Sequence, residues 1–392
     1  MALQAPPPAP GARMPVADFY AESYLAAPAV RRAGPIDLRR PGRTSVLVIP
    51  ERFNNGALTP CAYIRLILPL DRAGAGGLVD IVTADAVSAT RYRADIIATQ
   101  RYAVPDEASA DALAAHARET GTALYYDLDD DLLNIPKNHP DAKALRPKAK
   151  TVRRMLRHAD RVLVSTPVLA ESLRGQRDDA LVVANALDER LWGQVQPPRR
   201  SGPHQGPVRI LCMGTATHDA DFAMIEPALA RVVDAFGGRV QIDMLGFSSR
   251  PKLPSWVRRL GLPPTASASY PGFVNWIVQQ PAWDIGLVPL ADNAFNRCKS
   301  PIKTLDFAAL GLALLASDIA VYRGSVADGA GGMLIPNTED AWYQAVCHLV
   351  RDTDLRRRLG QGAWEDFSAR GTLAVGAGAW HSAWFGGSEQ SL

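Results

Sequence analysis

The chain has 392 residues, of which 47% are hydrophobic and 21% are charged, and its formal net charge is +3. A chain of this length predicts two globular domains, and this composition excludes a largely disordered protein. The small net charge gives no sign of a nucleic-acid-binding surface, so no nucleic acid partner is expected. The four cysteines lie far apart without a Cys-x-x-Cys pair, which favours a reducing cytoplasm over a zinc site or a disulfide framework.

The segment 1–42 is rich in Pro, Ala and Arg and is predicted to be an N-terminal extension. It lacks the basic and then apolar segments of a secretory signal. No apolar run approaches the roughly 20 residues that span a bilayer. We therefore expect a cytoplasmic protein.

The first half of the chain alternates short apolar runs with helical patterns. Continuous apolar runs such as 45–50 indicate strands buried on both faces of a parallel sheet. The predicted strands are 45–50, 79–82, 96–98, 123–127, 161–165 and 181–185. The predicted helices are 62–70, 106–120, 148–160 and a short one that begins at 166–167.

The segment 194–207 is a predicted linker because Pro, Gly and charged residues cluster there without periodicity. A second alternating series follows it, with predicted strands at 208–214, 240–246, 283–289 and 313–317 and helices at 221–236, 301–310 and 340–351. The alternation predicts an α/β protein with two doubly wound domains, at 43–193 and 208–372. Ligands of such folds bind at the carboxyl ends of the strands, which predicts a site in the cleft between the domains.

The segment 296–311 carries the pattern of a phosphate site. Ser300 is a suitable N-cap, Pro301 suits the first helical position, and the free N–H groups of such a helix terminus attract phosphate. Lys299 and Lys303 add positive charge, and Asp306 on the next turn could accept hydrogen bonds from a ribose diol. This layout suits a nucleoside diphosphate, and the alternative is a capped surface helix with a Lys–Asp pair.

Together with the strand 313–317, this segment resembles the donor-site signature of retaining glycosyltransferases of the GT-B fold, family 4 type. That signature is an acidic residue, seven others, a second acidic residue, small residues, Gly, and a strand that ends in Ser. The resemblance extends over about residues 45–365 and includes the segments 159–166, 183–188, 283–289 and 331–336.

The resemblance implies a GT-B fold, in which two Rossmann-like domains face a central cleft and a last helix, within 373–392, crosses back to the first domain. It also implies sugar transfer with retention from a UDP- or GDP-linked donor to a glycan, a lipid-linked glycan or a protein. No further cofactor is expected. The implied donor-binding residues are Gly214, Thr215, His218, Lys299, Ser300, Pro301, Ile302, Lys303 and Asp306.

Two positions depart from the family pattern. Cys298 stands where the family has the first acidic residue, which contacts the hydroxyl groups of the donor sugar. The loop 214–221 has no Arg or Lys, although the family usually places both there to bind the diphosphate. We therefore expect Lys299, Lys303 and the helix terminus to supply the charge that the phosphates need.

Four carboxylates fall within the five positions 127–131 and, because they repel one another, need a partner. In the family a His-Asp pair occupies this strand end, and Asp129 and Asp130 fall there, so the resemblance implies that they contact the acceptor or the transferring sugar. With Lys303 they are the predicted catalytic residues. An Asp-x-Asp metal site is the weaker alternative, since such sites belong to another glycosyltransferase fold, and we expect no metal. The third interpretation is a solvated acidic loop that caps the next helix.

Asn55, Gly56, Arg65 and Asp127 are the predicted acceptor-side residues. The first two lie in the loop after the first strand, and Arg65, on the next helix, could reach an anionic acceptor or form a surface salt bridge. The basic helix 148–161 raises the alternatives of peripheral contact with the inner face of a membrane and of a solvated charged surface.

Two other functions remain open at this point. Sugar-nucleotide 2-epimerases share the fold and use carboxylates and His residues, which the cluster 127–131 and His218 could supply. A non-catalytic relative that acts as a binding or scaffold subunit would agree with Cys298 and with the missing Arg and Lys.

Overall fold

The computed structural model describes residues 36–73, 79–193 and 206–386. Most of the predicted extension 1–42, almost all of the predicted linker 194–207 and the last six residues of the segment 373–392 lie outside the described residues.

The first domain is built on a parallel sheet of six strands with the order β3-β2-β5-β6-β7-β8. Two short strands, β1 and β4, form a separate parallel pair at its side. The strands are β1 Ile36–Asp37, β2 Thr44–Ile49, β3 Val79–Thr83, β4 Tyr92–Arg93, β5 Ile96–Gln100, β6 Ala123–Leu128, β7 Arg161–Val164 and β8 Leu181–Val182.

Helices connect these strands and cover the sheet. The first helix, α1, is composed of Pro60–Ala62, the π-helical turn Tyr63–Ile67 and Leu68–Ala73. The others are α2 Glu107–Thr120, α3 Ala142–Leu145, α4 Ala149–His158, α5 Pro167–Ser172 and α6 Glu189–Trp192.

The second domain repeats the design with a parallel sheet in the order β11-β10-β9-β12-β13-β14. Its strands are β9 Val208–Gly214, β10 Val240–Gly246, β11 Val257–Leu260, β12 Ile285–Val288, β13 Ala313–Ser317 and β14 Gly332–Ile335. Its helices are α7 Asp219–Phe236, α8 Pro264–Ser267, α9 Tyr270–Ile277, α10 Ala294–Arg297, α11 Ile302–Ala309, α12 Glu339–Arg351 and α13 Thr353–Arg370, and the last helix of the chain is α14 Leu373–Phe385.

Side chains that alternate along the central strands enter two different apolar clusters, so helices cover both faces of each sheet. On β2, Val46 and Val48 join the cluster under α1, whereas Leu47 and Ile49 join the one under α2 and α4. This pattern explains why the strands read as continuous apolar runs rather than as an alternation with polar residues. The prediction of two doubly wound, Rossmann-like α/β domains is confirmed.

One apolar cluster is shared by the two domains. It contains side chains from both sheets, and Trp192 and Tyr270 join it from opposite sides. The Trp192 Nε1–H donates to the Tyr270 hydroxyl at 3.0 Å, and the Tyr270 ring lies 6.0 Å from the ring of Tyr63. The domains therefore meet through a packed apolar contact as well as through polar loops.

The last helix packs against the first domain. The backbone of Leu187 accepts from Leu373 and donates to Gly371, both at 2.9 Å. Trp384 stacks on Tyr125 of β6, with 5.8 Å between ring centroids. This helix therefore covers the face of the first sheet on which α1 also lies. No helix within the described ranges is both long and apolar enough to cross a membrane.

Candidate functional site

The candidate site lies where the loops after the carboxyl ends of the two sheets meet. The chain order reverses between β2 and β5 in the first sheet and between β9 and β12 in the second, and such reversals are the usual ligand-binding positions of open α/β sheets. Across the junction, Lys299 pairs with Asp130 at 3.1 Å, and Asn185 Nδ2 donates to Ser300 Oγ at 2.8 Å.

Arg101 is the centre of an ion network on the first-domain side. Its guanidinium binds Glu51 at 3.1 Å and Asp130 at 3.0 Å, and it also contacts Asp129. Lys299 adds a second cation to Asp130 from the other domain. The partner that the acidic loop requires is therefore a pair of basic side chains. Among the described residues, no group of three acidic, His or Cys side chains has an arrangement that could hold a metal ion.

The backbone of Arg101 adopts a left-handed conformation with φ 42°. Non-glycine residues rarely take this conformation, and it persists only where surrounding contacts enforce it. Here the Arg101 N–H donates to the Asp127 carbonyl at 3.0 Å, and the Tyr126 hydroxyl donates to the Arg101 carbonyl at 2.7 Å. These two hydrogen bonds from β6 support the conformation that directs the side chain toward the acidic loop.

The network shifts the pKa values of two of its carboxyl groups in opposite directions. Burial alone would raise the pKa of Asp130, but Lys299 and Arg101 hold it well below its usual range. Burial raises the pKa of Glu51, and Arg101 only partly opposes this rise. Asp130 is therefore an anion at neutral pH.

The thiols beside the network stay protonated. Burial raises the pKa of Cys61 well above its usual value, and burial and Asp131 raise the pKa of Cys298. Neither side chain is therefore a ready thiolate nucleophile at neutral pH.

The donor-side helix α11 begins one residue later than the sequence predicts. Pro301 is the N-cap, with φ −79° and ψ 26° and without a side-chain capping bond, and Ile302 is the first helical residue. The prediction that Ser300 caps this helix is wrong, because its hydroxyl is bound by Asn185 of the other domain. Ser300 nevertheless lies at the end of the helix that faces the junction.

Asp306 is buried on α11, close to the residues that are predicted to bind the phosphates. It is only 7% exposed, and the Lys303 ammonium lies 3.5 Å from its carboxylate. Burial raises the pKa of Asp306, and Lys303 partly opposes this rise. The two residues thus place one cation and one hydrogen-bond acceptor on adjacent turns of the helix.

The loop after β9 presents His218 in a fixed orientation. Its ring stacks on Phe247 at a centroid distance of 5.0 Å, and Nδ1 lies 2.7 Å from Asp221, whereas Nε2 has no hydrogen-bond partner among the described residues. A Cβ on Gly214 would lie 2.9 Å from the Phe247 ring and 3.3 Å from the His218 ring, so this packing needs glycine there. Thr215 is exposed beside them.

The predicted acceptor-side residues divide into two groups. Asn55 and Gly56 lie in an exposed loop, where Asn55 Oδ1 accepts from the backbone of residue 57 at 3.1 Å and Gly56 has φ 86°. Arg65 and Asp127 instead form an ion pair at 2.7 Å, with side-chain exposures of 0% and 1%. The prediction that Arg65 and Asp127 face an acceptor is wrong, because α1 and the last helix bury them.

Cys298, one of the two departures from the family pattern, lies at the domain junction. Cys298 is buried, with Sγ 4.0 Å from Asp131, and its carbonyl accepts from the Thr166 hydroxyl at 2.9 Å. Asp131 itself binds the Asn134 amide at 2.9 and 3.1 Å. Cys298 is therefore part of the contact with the first domain, and Asp131 stabilises its own loop.

The basic helix is α4, and part of its charge is paired within the protein. Arg154 contacts Glu107 at 3.4 Å and Asp111 at 3.6 Å, and His158 lies 2.7 Å from Asp111. Membrane contact through this helix stays a prediction.

Sequence reasoning missed Glu51, Arg101 and Asn185 as site residues. Glu51 and Arg101 each follow a strand but belong to no recognisable motif, so only the three-dimensional contacts identify them. Asn185 lies inside the segment 183–188 that resembles the family, so its position near the cleft could have been inferred from that resemblance.

Known structures resemble this chain in fold at low sequence identity. Sucrose-phosphate synthase from Thermosynechococcus elongatus has a TM-score of 0.61 at 14% identity, with 88% of this chain and 100% of that chain covered. A glycosyltransferase from Rickettsia africae has a TM-score of 0.58 at 13% identity, with 88% and 100% covered.

HepE from Anabaena, solved in complex with UDP-glucose, has a TM-score of 0.59 at 12% identity, with 87% of this chain and 99% of that chain covered. No family model matches the sequence, and no curated protein matches it significantly. With its two Rossmann-like domains and the loops that meet between them, this chain has the GT-B fold.

Proposed function

We propose that this protein is a glycosyltransferase that takes a sugar from a nucleoside diphosphate sugar and transfers it to a glycan, a lipid-linked glycan or a protein, with retention at the anomeric carbon. One observation carries the proposal. The junction end of α11 combines Lys299, Ser300, Lys303 and Asp306, and it faces the carboxylates of Asp129 and Asp130 of the other domain.

The donor fits this arrangement in a specific order. The diphosphate would lie at Lys299 and Ser300, where the first N–H groups of α11 and two ammonium groups attract negative charge. The buried carboxylate of Asp306 would accept hydrogen bonds from the ribose diol. The Anabaena protein of similar fold was solved with UDP-glucose, which makes uridine the first base to test.

The chemistry requires the bond between the anomeric carbon and the phosphate oxygen to break, and a bond from that carbon to the acceptor oxygen to form. The resemblance to retaining glycosyltransferases implies attack from the side of the departing phosphate, which would itself take the acceptor proton. Lys303 would neutralise charge on that phosphate, and Asp129 and Asp130 would stabilise the positive sugar. Preorganised charges of this kind usually contribute most to such catalysis.

In this structure Lys299 is bound to Asp130, so donor binding would exchange one anion for another at the ammonium group. This exchange would release Asp130 from Lys299 while Arg101 keeps it paired and ionised. The carboxylate would then be available at the position that the sugar occupies.

The test is thermal stabilisation by UDP, GDP, ADP and TDP in the wild type and in Asp306→Ala. A ligand at 100 times its Kd stabilises the folded state by about 2.7 kcal/mol. For domains of this size, that corresponds to a rise in Tm of several degrees. The matched control is Asp366→Ala, which removes an aspartate that pairs with Arg370 on α13, outside the proposed site.

We expect one diphosphate to raise Tm in the wild type and in Asp366→Ala but not in Asp306→Ala. The corresponding nucleotide sugar should then release its sugar to water or to an added acceptor. If none of the four diphosphates raises the Tm of the wild type, the donor site is not where we propose it. If a diphosphate binds but no nucleotide sugar is consumed, the protein binds donors without being a transferase.

A further inference from the structure

Asn185 connects the buried core of the first domain to the donor-side helix of the second. Its Oδ1 accepts from Arg65 Nη1 at 2.8 Å, and its Nδ2 donates to Ser300 Oγ at 2.8 Å. Asn185 lies in the loop after β8, between the last strand of the first sheet and α6. A single side-chain amide thus crosses from one domain to the other.

The orientation of this amide is determined by Arg65. A guanidinium group has only donors, so the amide atom that faces it must be the oxygen, and the NH₂ group must face Ser300. Arg65 is itself held by both carboxylate oxygens of Asp127 and by the Val183 carbonyl at 2.6 Å, and its guanidinium lies 4.7 Å from the Trp380 ring centroid. The buried ion pair therefore fixes which way Asn185 donates.

The same hydrogen bond determines how the Ser300 hydroxyl can act. A serine hydroxyl has one hydrogen and two lone pairs, and Asn185 occupies one lone pair. The hydroxyl hydrogen therefore points away from the amide, and it has no acceptor among residues 36–73, 79–193 and 206–386. Because Ser300 is partly exposed at the junction, this hydrogen can be donated to a ligand.

We propose that Asn185 is a positioning residue for donor binding, because it holds the Ser300 hydroxyl as a donor to the diphosphate of the nucleotide sugar. The inference rests on the proposed function and deepens it, since it assigns a residue of the first domain to the binding of the donor phosphates. Arg65 and Asp127, which face no acceptor, have the role of fixing the amide. The donor site is thus complete only when the domains are in contact.

A structural role for Asn185 is the competing explanation, in which the amide merely holds the two domains together. The two roles differ in what happens when Ser300 is already changed. A positioning role requires Asn185 to act through the Ser300 hydroxyl, so removing the amide has no further effect on binding once the hydroxyl is gone. A purely structural role has no such dependence.

The test is a double-mutant cycle of Asn185→Ala and Ser300→Ala, read as the Kd for UDP, GDP, ADP or TDP by calorimetry on the full chain. A hydrogen bond to a charged phosphate corresponds to a factor of about 10 to 100 in affinity. We expect Ser300→Ala to weaken binding by about this factor and Asn185→Ala by about 3- to 10-fold. The double variant should bind like Ser300→Ala alone, and Ser300→Thr, which keeps the hydroxyl, should bind like the wild type.

Asn185→Asp is a second variant, which keeps the test decisive if Asn185→Ala fails to fold. Its carboxylate keeps the contact with Arg65 but can only accept from Ser300, which turns the hydroxyl hydrogen away from the ligand. We expect weaker diphosphate binding without a fall in Tm. Thr166→Val is the control, because it removes another hydrogen bond between the domains together with the N-cap of α5, and its Kd should stay within about 2-fold of the wild type although its Tm falls.

The outcomes separate the two proposals. If the wild type binds none of the four diphosphates, the donor site of the proposed function fails and the role of Asn185 fails with it. If the wild type binds one of them and Asn185→Ala binds it equally well, the positioning role alone is overturned. The same conclusion follows if the effects of the two single variants simply add, or if Thr166→Val weakens binding as much as Asn185→Ala.

Discussion

Replacing Arg65 by Met tests whether the buried ion pair stabilises the first domain as its geometry indicates. Asp127 is 1% exposed, and all the hydrogen bonds that its carboxylate makes within the described residues come from Arg65, at 2.7, 3.0 and 3.2 Å. Removing one partner of such a pair leaves an uncompensated buried charge, which costs about 3 to 5 kcal/mol. The matched control is Arg174→Met, because Arg174 and Glu171 pair at 2.9 Å but are 72% and 61% exposed. That pair contributes about 0 to 1 kcal/mol.

The same variant has a predicted dependence on pH. Burial already raises the pKa of Asp127, and Arg65 opposes that rise, so the folded-state pKa increases further in Arg65→Met. The folded variant then binds a proton that the unfolded chain releases above its own carboxyl pKa of about 3.9. The stability of the variant should therefore fall as pH rises from that value toward the raised folded-state pKa. The destabilisation relative to the wild type should be larger at pH 8 than at pH 5.

The assay is urea unfolding followed by tryptophan fluorescence, since Trp380 lies against Arg65 and reports on this region. The midpoint and slope are compared at the two pH values for the wild type and both variants. A loss below about 1 kcal/mol for Arg65→Met, or an equal loss at pH 5 and pH 8, would show that Asp127 is not a buried anion held by Arg65.

Three further predictions concern the site. Arg101→Gln should lower transfer activity at least 10-fold, because Asp129 and Asp130 lose their shared cation, and the activity of Arg101→Lys should lie between that of Arg101→Gln and the wild type in the same assay. Burial raises the pKa of Asp306, so nucleotide affinity should fall as pH drops through that raised pKa, and titrations from pH 8 to pH 4.5 should show a smaller fall for Asp306→Asn, in which only the phosphate of the ligand titrates. Gly246→Ala should lower the free energy of unfolding by about 1 to 3 kcal/mol and weaken nucleotide binding, because φ is 66° and the new Cβ would lie 2.0 Å from the Gly214 carbonyl oxygen. Gly324→Ala is its control in the same urea titration, with φ 87° and open space around the new Cβ, and it should leave nucleotide binding unchanged.

The architecture could be predicted from the sequence because the central strands of both sheets are buried on both faces. Continuous apolar runs of that kind occur mainly in parallel sheets covered by helices, and the runs alternate with helical periods along the whole chain. The structure has strands at every predicted position, although some are shorter. The strand predicted at 181–185 ends at Val182, because the chain turns there to bring Asn185 to the domain junction.

The site was predictable only in part, because long-range contacts determine which polar groups are free. The pattern of Ser300 followed by Pro301 predicts a capping hydroxyl, but Asn185, 115 positions away, binds that hydroxyl instead. Arg65 looked like an exposed charge on a helix, whereas the packing of Trp380 from the end of the chain buries it. Arg101 reaches Glu51 and Asp129 at separations of 50 and 28 positions, which no local pattern indicates.

The position of the helix Leu373–Phe385 on the first sheet has a consequence for synthesis on the ribosome. The last strand of that sheet ends at Val182, so the sheet is translated long before the helix that covers it. At about 5 to 20 residues per second, the delay is about 10 to 40 s. During this interval the apolar surface around Tyr125 lacks the cover that Trp384 later provides. The nascent first domain therefore exposes this apolar surface until the last helix has been made, and premature termination before residue 373 would leave the surface permanently open.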